Sequence, residues 1–558
     1  MPTMVTRRIV GRPAAAGLAF GPPLVMTTGE VPDDAEVAFT VEAAAIRTAE
    51  RFEVLAERAR AAGREDEAEM LETYAMMAED PSLLDAIARH EAGGFAPVAA
   101  VHRAVDEVAA VFAAMDNEYL AQRADDVAGV GRELIATLTD TVSSATEVAD
   151  GAIVCAEDLT PADTVQIELE RIGGLATARG GPTSHTAIVA RAAGIPAVVG
   201  ATGLIEEVHG AEVLLLDGDR GEVVIDPDPD TVQEARARME AAERQAAEHR
   251  RLRGQHVTFG GQRILVAANV GGPQDLDAAV EAEADGIGLF RSEFLFLDRD
   301  DAPSYQEQLE AYAAAVRAFE DPTVVRTLDI GGDKDVPYLE LPREDNPFLG
   351  VRGLRLCLER PALFNVQLDA LVTAAKDGRL RVMFPMVASV ADLDAGLRRL
   401  SERAEVAGLP PAAPGIMIET PAAALLASHL APRCAFFSVG TNDLTQYTAA
   451  ADRGLAELSA YQDPAQPAVL QLIDLTCTAA REAGIPVAVC GEAASDPAAA
   501  ALLLGLGVHE LSVAPSLVDR TRWLVTQLDP DAARRAARAA LRAPDPEAVR
   551  EIAVEILP

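Results

Sequence analysis

Lysine is almost missing from this chain: Lys334 and Lys376 are the only two in 558 residues. Arginine carries the rest of the positive charge, so each retained lysine is a candidate for a specific task. Positive charge is also in deficit overall. Lys and Arg number 48 against 88 Asp and Glu, a net charge of −40. A surface this acidic repels nucleic-acid phosphates and excludes a DNA- or RNA-binding role. It suits solubility, adaptation to salt, or a basic partner. Cysteine is sparse as well. The five residues at 155, 357, 434, 477 and 490 show no zinc-site spacing, and their odd count argues against a disulfide framework. No stretch of about 18 apolar residues occurs, so no membrane insertion is expected. The opening MPTMVTRRIV lacks the apolar run of a signal peptide. The expectation is a cytoplasmic protein in a reducing compartment.

What is present divides by texture. At about 150 residues per domain the length suggests three or four domains. Residues 7–25 read as short extended segments around Gly11, Gly17 and Gly21. From about 34 to 142 alanine, glutamate and arginine dominate, with apolar stripes at helical spacing: Ile46, Ala49, Phe52 and Leu55, then Met70, Tyr74 and Met77. These predict a helical bundle with the stripes as its core. Beyond residue 150, short apolar runs at 152–155, 173–176, 197–199, 212–216 and 222–225 surround a helix at 184–193, an α/β pattern. DPDPD (226–230) breaks it. A charged, helix-favouring linker follows, over 228–255. Eight strand candidates then alternate with helical patterns: 263–268, 286–290, 324–328, 381–385, 415–418, 435–439, 486–490 and 509–513. That count and length predict a (β/α)8 TIM-type barrel. Asn269, Arg291, Asp329, Glu419, Asn442 with Asp443, and Cys490 with Glu492 lie at or just after these strands. In such a barrel those positions ring the active-site face.

The first chemical motif is GGPTSHTAIVAR (180–191). Gly180 and Gly181 permit close backbone approach to a ligand. Thr183 or Ser184 can cap the following helix. His185 then sits in the first turn, where free N–H groups and the positive helix end favour an anion. A neutral imidazole there is a competent nucleophile and could carry a phosphoryl group. A TSH tripeptide by itself reads as a helix cap without chemistry; the glycine pair and the adjoining helix weigh against that.

Together with DLTP (158–161), GLFRSEFLFLDRD (288–300), RTLDIGGDK (326–334), NPFLGVRGLR (346–355), FPM (384–386), IETPAA (418–423), FFSVGTNDLTQYTAAADRG (436–454) and CGE (490–492), this motif resembles enzyme I of the phosphoenolpyruvate–sugar phosphotransferase system. The nine blocks stand in the family's order and span most of the chain. The resemblance implies a multidomain α/β protein. A swivelling phosphohistidine domain (1–33 and 143–227) carries an inserted helical subdomain (34–142) that binds the carrier HPr. The linker (228–255) leads to a phosphoenolpyruvate-binding and dimerisation barrel (256–558). His185 would take the phosphoryl group of phosphoenolpyruvate, release pyruvate, and pass the group to a histidine of HPr. A trianionic substrate needs several fixed cations, and the arginine fork suits oxyanions. By resemblance these are Arg291, Arg326, Arg352 and Arg453, with Lys334 as a further candidate and Asn442 as a neutral donor. Glu419 and Asp443 would hold Mg2+, which favours one or two protein carboxylates plus substrate oxygens. Cys490 reads equally from spacing alone as a buried apolar cysteine or as an acid; the resemblance makes it the proton donor to enolpyruvate. Glu492 could orient the enol or the thiol. MLETYAMMAEDPSL (70–83) and EYLAQRADDVAGVG (118–131) carry the likeness to the HPr-docking subdomain, with Arg123 its one named contact. A homodimer through the barrel is implied.

Two positions depart from the family pattern. Pro182 stands where a basic residue is common, and AAAG (14–17) replaces a small-residue–proline–glycine turn. The rival readings are a pyruvate phosphate dikinase or phosphoenolpyruvate synthase, and a noncatalytic regulator on the same scaffold. The first pair needs a large ATP-binding domain, and the roughly 180 residues before His185 hold no glycine-rich phosphate loop. Thr186 also fits enzyme I better than the dikinases. The regulator would be free to lose the charged site residues that this chain retains.

Overall fold

The computed structural model describes residues 7–26, 31–61, 64–113, 118–141, 149–181, 184–297, 299–332, 334, 336–339, 341–342, 344–453 and 455–558. Pro182 and Thr183 therefore lie outside the described residues, as does the side chain of Arg123. The chain forms two compact units, Met1–Glu243 and Arg244–Pro558.

In the first unit four short strands open the chain: β1 (Arg7–Val10), β2 (Arg12–Ala15), β3 (Leu18–Gly21) and β4 (Pro23–Met26). Helices α1 (Val41–Ala61), α2 (Glu65–Ala78), α3 (Pro81–Ala92), α4 (Pro97–Ala113) and α5 (Glu118–Leu138) follow. The chain then continues through β5 (Ile153–Ala156), α6 (Pro161–Gln166), β6 (Gly174–Thr177), α7 (His185–Ala193), β7 (Ala197–Val199), α8 (Leu204–Val208), β8 (Leu214–Asp217) and β9 (Glu222–Ile225). One sheet has the order β2-β7-β6-β5-β4, parallel except for β2; the other, β1-β9-β8-β3, is antiparallel. β5 and β6 are buried at every residue, as expected of parallel strands covered on both faces. Gly21 permits a close crossing, since a Cβ there would lie 1.9 Å from the Gly151 carbonyl oxygen.

The inserted helices have two apolar cores. Val41, Ala44 and Ala45 of α1 pack with α3, α4 and α5. Further along α1, Ala49, Phe52 and Leu55 join Leu71 and Tyr74 of α2 with Ala162 and Val165 of α6. The second core ties the bundle to the α/β body next to α7. One expectation fails here: Ile46 is 50% exposed, and Ala44, Ala45 and Thr48 take the interior instead. There the interior face is built from small residues, and the Thr48 hydroxyl donates to Thr137 of α5 at 3.0 Å. In sequence, helix α9 (Pro229–Arg250) spans the boundary between the units; in the first, its Ala235 packs on Leu215 and Val224 and its Arg238 pairs with Asp217 at 2.5 Å.

The second unit begins with a hairpin of β10 (Val257–Phe259) and β11 (Gln262–Val270). Parallel strands β11, β12 (Ile287–Arg291), β13 (Thr323–Arg326), β14 (Leu380–Phe384), β15 (Ala413–Ile418), β16 (Phe436–Val439), β17 (Val487–Val489) and β18 (Glu510–Val513) follow in order, and β18 pairs back with β11. This is a closed eight-stranded barrel with helices between the strands, as the sequence predicts. A buried polar network fixes the loops after β12 and β13. Gln367 accepts from the Leu328 N–H (2.9 Å) and donates to Ser292 (3.0 Å) and Tyr312 (3.1 Å). Ser292 in turn donates to the Arg326 carbonyl at 2.6 Å. These bonds tie the loop after β12 to the loop after β13.

Candidate active site

In the first unit His185 is the first residue of α7. Ser184 occupies the N-cap position in extended conformation, yet its hydroxyl makes no capping bond and is buried without a partner among the described residues. The capping role expected for it is therefore not met by the side chain. Gly180 turns at φ 89°, a left-handed conformation that suits glycine, and Ser184 sits against it. The His185 Nε2 lies 3.0 Å from Thr164 Oγ1 on α6. That hydroxyl also faces the Pro161 carbonyl (2.9 Å) and Glu67 Oε2 (3.1 Å) on α2. Thr164 has one proton and two obligate acceptors, so Nε2 is best assigned as the N–H donor to it. Nε2 is thus engaged within its own unit.

Burial pushes the His185 pKa down to about 4. Arg64 acts in the same direction, and Asp126 and Asp163 oppose it. The imidazole is neutral at physiological pH, as a nucleophile requires. The sign for stability follows from linkage. With a folded value near 4 and an unfolded value near 6.5, the unfolded chain binds more protons between these pH values, so the fold weakens as pH falls through that window. Wild type should lose about 2 kcal/mol relative to His185→Ala between pH 7 and pH 5. Denaturant melts of both proteins at the two pH values measure this; a constant gap would show that the histidine titrates normally.

In the second unit the expected residues gather at the C-terminal ends of the barrel strands. Arg326 closes β13 and is buried. Its Nη2 pairs with Glu293 and its Nη1 lies 3.0 Å from Asp329. Asp329 also meets Arg352 at 3.4 Å, and Lys334 Nζ lies 3.8 Å from Glu293. Three cations are thus held by two carboxylates before any substrate enters. Burial drives the Asp329 pKa up, but Arg326, Arg352 and Lys334 outweigh it and keep the carboxyl below its usual range. Arg291 ends β12 and is exposed. Arg453 reaches Asp443 at 3.3 Å.

Glu419 follows β15 and is fully buried. Its Oε1 accepts from the Met386 N–H at 2.5 Å, and its Oε2 has no partner among the described residues. Burial, then Asp329 and Asp443, push its pKa up to about 8, against Arg326 and the Met386 N–H. Two carboxylates that repel each other around an unpartnered buried oxygen fit a divalent cation. Among the described residues no three His, Cys, Asp or Glu side chains form an all-protein cage. The donor set therefore fits an ion completed by substrate and water, the usual habit of Mg2+.

Cys490 follows β17 and is 4% exposed. Burial pushes its thiol up to about 11, while a hydrogen bond from Ser438 and the charges of Arg326 and Arg291 pull the other way. Ser438 Oγ donates to the sulfur at 3.3 Å. Asn269 anchors the same turn, its Nδ2 donating to the Cys490 and Ser512 carbonyls at 3.2 Å each. Glu492 is exposed and exchanges hydrogen bonds with Asn442 (3.1 and 2.8 Å); of the two roles suggested for it, the contact with the thiol is made by Ser438 instead. Glu293, Asp329 as a cation holder, Ser438 and Asn269 were not singled out by role from the sequence. Glu293 carried a signal, a carboxylate two residues after an arginine and against an apolar run, where a buried charge needs a partner.

Family models match three stretches: residues 10–123 as the N-terminal region, 148–221 as the mobile domain and 245–530 as the phosphoenolpyruvate-binding domain of phosphoenolpyruvate-utilising enzymes. The fold and the matches define the class, a phosphotransferase enzyme built from phosphoenolpyruvate-utilising domains. A phosphoenolpyruvate-protein phosphotransferase of Priestia megaterium is 38% identical over 94% of this chain and 94% of its own length. One of Haloferax volcanii is 41% identical over 91% of this chain and 90% of its own. A multiphosphoryl transfer protein of Xanthomonas campestris pv. campestris is 44% identical over 81% of this chain and 54% of its own. The chain belongs to the phosphoenolpyruvate-protein phosphotransferase family, the enzymes I. Among the described residues no helix is long and apolar enough to cross a membrane.

Proposed function

We propose that this enzyme moves the phosphoryl group of phosphoenolpyruvate to His185, releases pyruvate, and hands the group to a histidine of the carrier HPr in the cytoplasm. The observation that carries the reading is a neutral histidine heading a helix in one unit, with a preformed cation pocket at the mouth of a barrel in the other. Arg326, Arg352, Lys334 and Arg291 bind and neutralise the phosphate and carboxylate of the substrate, with Arg453 and Asn442 at the rim. Because the cations are held in place beforehand, little reorganisation is needed when charge develops. Glu419 and Asp443 would hold Mg2+, which supplies further charge neutralisation on the phosphoryl oxygens when bound.

For transfer, His185 leaves Thr164 and presents a ring nitrogen in line with the phosphorus. The P–N bond forms, the P–O bond to the enol oxygen breaks, and the electron pair stays on that oxygen. Cys490 then gives its proton to the methylene carbon, completing pyruvate and leaving a thiolate that Ser438 hydrogen-bonds. Meeting both the barrel site and a carrier requires a swivel of the phosphohistidine domain (1–33 and 143–227) on the 228–255 linker. The acidic 34–142 subdomain docks the basic carrier, and a second copy pairs through the barrel. The dikinase and regulator readings have no observation in their favour.

The test is labelling by phosphoenolpyruvate and magnesium without ATP. Acid-labile phosphate that moves to added HPr is the expected result. Labelling by ATP would favour a dikinase, and no labelling would favour a regulator.

A further inference from the structure

Arg352 sits on a long segment between β13 and the helix Leu354–Glu359, in which the only regular structure described is two 3-10 turns. Such a segment is a poor platform for a buried cation unless something fixes it. Two clips do so. Glu344 Oε1 accepts from the Val351 N–H at 3.0 Å, and its carboxylate fills the space beside Gly350, where a Cβ would lie 1.7 Å from Glu344 Oε2. From the other side Tyr447, on the helix Thr441–Ala449, donates its hydroxyl to the Phe348 carbonyl at 2.5 Å. The Phe348 ring in turn lies under the Arg352 guanidinium, 5.5 Å from centroid to carbon. The same helix carries Asn442 and Asp443 in its first turn. The Tyr447 hydroxyl also lies 3.9 Å from Met386 Sδ, and Met386, at φ 56°, is the residue whose N–H binds Glu419.

We infer that Tyr447 is a positioning residue that ties the arginine segment to the helix carrying Asp443, so that Arg352 keeps one geometry toward substrate. This rests on the functional reading above, in which Arg352 binds phosphoenolpyruvate. Tyr447 touches no reacting atom; it acts through Phe348 and Arg352. The hydroxyl is the informative atom, because the ring alone would satisfy packing. A phenylalanine there would keep the apolar contacts and leave the Phe348 carbonyl without its donor.

The experiment is the rate of His185 labelling against phosphoenolpyruvate concentration in the full chain, for wild type, Tyr447→Phe, Arg352→Ala and the double variant. Arg352 meets substrate in the ground and transition states alike. Loosening it should therefore raise the half-saturating concentration about fivefold to tenfold and leave the maximal rate nearly unchanged. On the Arg352→Ala background, Tyr447→Phe should add less than about twofold, because its target is gone. A general structural defect would instead multiply through both backgrounds and lower the maximal rate. Either of those results, or wild-type saturation in Tyr447→Phe, overturns the inference. If Arg352→Ala itself saturates normally, Arg352 is no substrate ligand and the inference falls while the phosphohistidine cycle stands. If wild type takes no label at all, the cycle itself falls.

Discussion

His185→Ala should take up no acid-labile phosphate from phosphoenolpyruvate, under conditions in which wild type labels fully, and should pass none to HPr. The expectation is an all-or-none result, because the nucleophile is a single atom and the described structure offers no substitute. The chain has eight histidines, and His185 alone stands at the first position of a helix after a glycine pair. Cys155, in the same unit, is fully buried with its thiol pushed up to about 12 by desolvation, so it supplies no thiolate at neutral pH. The barrel should be untouched by the substitution. His185→Ala should therefore still bind phosphoenolpyruvate, which equilibrium binding can check independently of labelling. Binding without labelling isolates the chemical step; label that persists on the variant would place the nucleophile elsewhere. Since the imidazole is neutral down to about pH 4, the wild-type labelling rate should not fall between pH 8 and pH 6 through protonation of His185 in the pose that meets Thr164.

The barrel was legible in the sequence because each strand is a short apolar run followed by a polar residue, and covered parallel strands need little else. Observed and expected strands agree to within about two residues. The helical bundle was legible together with most of its core, Ala49, Phe52, Leu55 and Tyr74 being buried and Met70 and Met77 packed against them, and Ile46 is the exception. At the start of α1 the interior face is built from small residues, so Ile46 drew the eye while Ala44 and Ala45 did the packing. At the candidate site, residue types that bind anions and metals stand out at strand ends, and Arg326, Arg352 and Lys334 do meet in one pocket. What the sequence concealed was how those charges are balanced before substrate arrives. Asp329 stood out only as a polar residue after a strand and Glu293 only as a carboxylate beside an arginine; the fold buries both against the cations. Glu492 shows the converse. Its place two residues after Cys490 suggested the enol or the thiol; its side chain meets Asn442, and Ser438 meets the thiol. Side-chain direction after a strand depends on local turn geometry, which neighbouring residue identities do not specify.

Arg326→Met should lower labelling by about a thousandfold at subsaturating phosphoenolpyruvate, comparable to the loss of a preorganised donor of about 3–4 kcal/mol. Arg326 is a buried cation held on both sides, with Glu293 on one arm of its fork and Asp329 on the other. Both carboxylates pull its pKa further up against the cost of burial. Removing it does two separable things. The site loses a fixed cation, and two buried carboxylates lose a partner, the second effect alone costing about 3–5 kcal/mol of stability. Arg326→Lys should fall between wild type and Arg326→Met in activity, since it keeps the charge and loses the bidentate fork. The double substitution Arg326→Met with Glu293→Leu separates the two effects. It removes the stranded carboxylate together with the guanidinium, and Asp329 keeps Arg352 as its partner at 3.4 Å. Thermal stability should therefore recover in large part, while labelling stays at the level of the single variant. Recovery of both would mean that Arg326 is a structural ion pair, and the phosphate-binding role would pass to Arg291, Arg352 and Lys334. Recovery of stability alone would show that the network holds Arg326 ready for an anion it does not itself contain.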